Sequence, residues 1–133
     1  TLHTSGATKT VDRLIEMFPT DEQEFIRSLL ADVIRGIISQ TLFKRIDRPG
    51  RIAALEIMVA TYAVRNLIRE NKTHQLSSLI QTGKKYGMQT LDDAILEFLS
   101  KGFIDPEDAY LNAIDKAKFK PFLKRIPKDF TEV

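Results

Sequence analysis

The sequence of 133 residues contains no cysteine, which excludes disulfides, thiolate chemistry and cysteine-ligated zinc and favours an intracellular setting. Histidine is scarce too: His3 and His74 lie far apart in the chain and neither has a carboxylate at metal-ligand spacing, so no metal site is predicted. An excess of one charge is also missing. Twenty lysines and arginines against eighteen acids leave a net charge of +2, too little to argue for nucleic-acid binding. No apolar run approaches the ~20 residues of a membrane-spanning helix, and the N-terminus lacks a charged-then-apolar signal layout, so a soluble chain without a transmembrane segment is expected. No Gly-x-Ser-x-Gly elbow occurs. The "GKK" at Gly83–Lys85 is not a phosphate loop, because Ser78 stands where the first glycine belongs and Lys85 where a magnesium-binding Ser or Thr belongs. No apolar run ends in paired acids of the Walker B kind.

What is present is core-forming material: 43% of residues are hydrophobic, enough for one packed domain or part of a larger one. There is no initiating Met, and Leu2 falls into a helix-cap pattern as though a strand ended just before it, so the chain is expected to begin inside a larger domain. Val11, Leu14, Ile15 and Phe18 recur at helical spacing until Pro19, which predicts a helix over about residues 7–18. Thr20 and Gln23 read as a capping box, and the apolar positions from Phe25 to Ile38 predict a long helix over roughly 20–39. Gly36 lies off that stripe, where another backbone is expected to approach closely.

The period then changes. Leu42 to Ile46, a "DRPG" turn and Ile52 to Ala60 read as a β-hairpin, whose second strand is apolar enough to suggest burial on both faces in a larger sheet. Helices return after Thr61 and over Thr73–Ile80. Thr90 with Asp93 begins another helix that Gly102 stops. Asp105, Pro106 and Asp108 open the next, expected to run to about Ala117. The tail interleaves Lys116, Lys118, Lys120, Lys124, Arg125 and Lys128 with Phe119, Phe122, Leu123, Ile126 and Phe130, an amphipathic pattern suited to packing on its own domain or, alternatively, to docking on a partner or an anionic surface.

One stretch, "AVRNLIRE" at residues 63–70, sets Ala63, Val64, Leu67 and Ile68 on one helix face and Arg65 and Arg69 one turn apart on the other. A like-charge pair at that spacing costs roughly 0.2–0.5 kcal/mol, so stability alone does not account for it.

In this order, "TLHTSGATKTVDRLIEMFP", "GRIAALEIMVAT", "AVRNLIRE", "KTHQLSSLIQTG" and "YGMQTLDDAI" resemble the C-terminal half of the ATPase domain of PilT-type type IV pilus retraction motors, of the secretion ATPase superfamily. The resemblance covers about residues 1–112 and implies an α/β, predominantly helical fragment: the C-terminal portion of a RecA-like P-loop ATPase domain, with one β-hairpin and about six helices. Residues 1–60 would end the ATPase core, 61–114 form a C-terminal helical subdomain and 115–133 a basic tail. "LHT" matches the family's His box, so the resemblance implies that Leu2, His3 and Thr4 meet nucleotide and that His3 senses its terminal phosphate. Arg65, Asn66, Arg69 and Glu70 are implied to couple hydrolysis to retraction.

The parent would be a cytoplasmic homo-hexamer, peripheral to the inner membrane at the pilus base, using ATP and Mg and working with the inner-membrane pilus machinery. The chain lacks the P-loop, the Asp box and the Walker B acids, so no cofactor is expected to be held by this fragment, and it should be inactive alone. The alternative is an autonomous helical adaptor that binds protein partners through the Arg65/Arg69 ridge.

Overall fold

The computed structural model describes residues 1–123. The expected basic tail therefore falls partly outside the described residues, including Lys124, Arg125, Ile126, Lys128 and Phe130. In chain order the elements are α1 (Ala7–Glu16), α2 (Gln23–Val33), β1 (Gly36–Lys44), β2 (Arg51–Val59), α3 (Tyr62–Arg69), α4 (Leu76–Thr82), α5 (Leu91–Ser100) and α6 (Pro106–Asn112), with short 3₁₀ turns between and after them. Among the described residues β1 and β2 form a two-stranded antiparallel sheet. Its register is fixed at both ends: Arg45 N–H donates to Gly50 O at 3.0 Å across the turn, and Ala60 N–H donates to Arg35 O at 3.0 Å at the open end. On the other edge of β2, Ile57 and Gln89 exchange backbone hydrogen bonds of 2.9 and 3.0 Å.

The helix expected over 20–39 is corrected by the structure: α2 ends at Val33 and Ile34 is extended, with ψ 140°. Ile34, Ile37 and Ile38 satisfy a helical period, but a short apolar run fits a strand equally well, and here β-branched residues join the hairpin. The close approach at Gly36 is real and belongs to a strand, since a Cβ there would lie 2.9 Å from Met58 O. The capping box at Thr20 does not form either. Gln23 Nε2 donates to Phe18 O at 3.0 Å instead.

The chain forms two compact units. The first comprises Thr1–Gln40 and Leu55–Thr90. Its core is built from Val11 and Ile15 of α1, Ala31 of α2, Met58 of β2, Val64 and Ile68 of α3, and Leu76 and Ile80 of α4, all nearly excluded from solvent. Of the face expected on "AVRNLIRE", Val64 and Ile68 are buried and Leu67 is half-buried, while Ala63 is exposed. α1 begins at Gly6, which has no side chain to cap the helix. The carboxylate of Glu56 supplies the cap from β2, accepting from Ala7 N–H at 2.7 Å.

The second unit comprises Thr41–Ala54 and the described residues from Leu91 onward, packed around Phe43, Ile95, Ile104, Tyr110 and Phe119. α5 stops as its glycine predicts: Gly102 adopts φ 72°, its N–H donates to Leu99 O at 3.1 Å, and Phe103 N–H donates to Phe98 O at 3.0 Å. α6 starts at Asp105, whose carboxylate accepts from Glu107 N–H at 2.8 Å. It does not reach Ala117. Ala113 is extended because the buried carboxylate of Asp92 accepts from Ile114 N–H at 2.8 Å and Asp115 N–H at 2.9 Å, taking the donors that a further helical turn would need.

Candidate functional site

The segment before α1 is tied down by hydroxyls. Thr10 Oγ1 donates to Gly6 O at 2.8 Å and lies 2.7 Å from Thr4 Oγ1, so Thr4 is held over the first turn of α1. Leu2, His3 and Thr4 thereby come to line a single open pocket of about 930 Å³. Leu14 of α1, Leu30 of α2 and Ile34 just after it are its apolar wall, and Gly36–Gln40 of β1 its other side. His3 is exposed there among the hydroxyls of Thr1, Thr4, Ser5 and Ser39. The pocket offers an imidazole and several hydroxyl donors, which suits contact with one polar end of a ligand. Among the described residues no group of three His, Asp or Glu side chains could hold a metal ion.

Of the other four predicted residues, Arg65, Asn66 and Arg69 lie on α3 and Glu70 directly follows it; none lines this pocket. Arg65 does not stand as a free ridge. Its Nη1 donates to Ala31 O at 2.6 Å and to Asp32 O at 3.0 Å, the carbonyls at the C-terminal end of α2. Arg69 Nη2 donates to Asp32 Oδ1 at 2.8 Å, and its Nη1 to Asn66 Oδ1 at 3.0 Å. Glu70 pairs with Lys72 at 3.3 Å. The two arginines therefore clasp one helix end, where the partial negative charge of the helix favours cations.

Sequence reasoning missed Asp32 as their partner. A signal was available: the last turn of α2 carries no basic residue, so its unpaired carbonyls need a donor from elsewhere in the chain.

The chain is 50% identical over 109 residues to a twitching motility protein of Neisseria gonorrhoeae, covering 82% of this chain and 29% of the relative. It is 48% identical over 130 residues to the type IV pilus retraction ATPase PilT of Pseudomonas aeruginosa, covering 98% of this chain and 34% of the relative. A crystal structure of the pilus retraction motor PilT with bound ADP superposes with a TM-score of 0.76 at 37% identity, over 88% of this chain and 32% of that one. No family model matches the chain. The chain thus spans about a third of the length of the curated relatives it matches. Its fold is α/β and corresponds to the C-terminal part of the PilT ATPase fold. Sequence and fold agree: the chain is the counterpart of the C-terminal part of proteins named PilT and twitching motility protein.

Proposed function

We propose that this chain is the C-terminal segment of a hexameric, cytoplasmic ATPase that powers retraction of type IV pili from the inner-membrane base of the pilus. The observation that carries the reading is the gathering of Leu2, His3 and Thr4 at one pocket, in a chain 48% identical over nearly its whole length to a retraction ATPase. In the complete protein these three residues face the nucleotide, and His3 donates a hydrogen bond toward its terminal phosphate. ATP and Mg are held chiefly by parts of the protein that precede this chain. Arg65, Asn66, Arg69 and Glu70 pass the resulting motion toward neighbouring subunits and the pilus machinery. The adaptor alternative has no observation in its favour, because Arg65 is committed to α2.

The test is His3→Ala in the full-length protein. Loss of one aimed donor should lower ATP turnover by on the order of tenfold or more. The exposed position of His3 means that thermal melting should stay unchanged. Unaltered turnover would remove His3 from the nucleotide site.

A further inference from the structure

The pocket and the arginine helix share one element. Leu30 of α2 and Ile34 just beyond its end form pocket wall, and between them in sequence stand Ala31 and Asp32, the residues that Arg65 and Arg69 hold. An α-helix with its hydrogen bonds intact moves as a rigid body, so whatever shifts Leu30, or Ile34 whose N–H donates to Leu30 O at 2.9 Å, also shifts the carbonyls of Ala31 and Asp32 and the Asp32 carboxylate. We infer that the C-terminal turn of α2 is the link between the His3 pocket and α3, and that Asp32 is the positioning residue through which Arg69 senses it. This rests on the functional reading above.

The two arginines divide the work. Arg65 grips backbone and stays with α2 wherever it goes. The Asp32–Arg69 pair is open to water, with the two side chains 66% and 39% exposed. Such a pair contributes little to folding, can break and re-form at small cost, and so is suited to changing partner as the helix end moves. Asp32 therefore matters for transmitted motion more than for the fold.

The experiment compares Asp32→Ala, Asp32→Glu, Arg69→Ala and the Asp32→Ala/Arg69→Ala pair in the full-length protein, reading ATP turnover in vitro and twitching in a strain lacking its own retraction ATPase. Asp32→Ala should reduce twitching tenfold or more while ATP turnover stays within twofold, and Asp32→Glu should preserve both. The double variant should be no worse than either single one. Normal twitching in Asp32→Ala beside lost twitching in Arg69→Ala overturns this inference and leaves the proposed function standing. Normal twitching in both overturns the role of the ridge and this inference with it. Loss of ATP turnover in Asp32→Ala, failure of Asp32→Glu to preserve twitching, or an additive double variant also overturns it.

Discussion

The guanidinium of Arg65 donates to the carbonyl of Ala31 at 2.6 Å, closing the end of a helix that lies 34 positions earlier in the chain. A like-charge pair that looked unfavourable on an isolated helix is explained by these partners, because Arg65 meets the carbonyls at the negative end of α2 and Arg69 meets the Asp32 carboxylate.

Arg65→Ala should therefore cost about 1–2 kcal/mol, since it leaves two helix carbonyls without a charged donor. That exceeds the ~0.5 kcal/mol ceiling usual for exposed substitutions. Arg69→Ala should cost under ~1 kcal/mol, as a solvent-exposed ion pair does. Urea unfolding of both variants checks the order, and equal costs would contradict the clasp.

The buried carboxylate of Asp92 ends α6 by holding two backbone donors. Asp92→Ala should destabilise the protein by about 1–3 kcal/mol and speed amide exchange at Ile114 and Asp115. Asp92→Asn, which keeps one acceptor oxygen, should cost less. Undisturbed exchange at both amides would show that another acceptor takes over.

Half-buried Asp108 has its carboxyl raised above the ordinary range, first by burial and then by repulsion from Asp105 and Glu107, against a smaller opposing pull from Lys44. The folded state holds this proton more tightly than the unfolded chain does. The resulting penalty is absent below the ordinary carboxylate pKa of about 3.9 and develops as pH rises through the raised value. Asp108→Asn should accordingly melt higher than the parent at pH 7, with the gap closing on acidification below about pH 4. A gap that widened in acid would have the opposite sign and contradict this placement.

Features with local causes were legible in the sequence. Gly102 ends α5, Asp105 and Pro106 begin α6, and the apolar stripes of α1 and α3 find the core at Val11, Ile15, Val64 and Ile68. Features whose causes are distant were not. Ile34, Ile37 and Ile38 fit either period, and the choice was made by β2, whose Met58, 22 positions after Gly36, runs beside it. The end of α6 depends on Asp92, 22 positions from Ile114. The site shows the same division: the family was readable from "LHT" and "AVRNLIRE", while the partner of the arginines, 33 to 37 positions away, was not.

Twitching of a strain that lacks its own retraction ATPase, complemented with the full-length protein carrying this chain, decides whether α3 couples ATP hydrolysis to retraction. The unaltered protein should restore twitching, and Arg69→Ala should abolish it while retaining ATP turnover within about twofold, as an exposed substitution outside the nucleotide pocket allows. Failure of the unaltered protein to restore twitching, or full twitching with Arg69→Ala, would contradict the account.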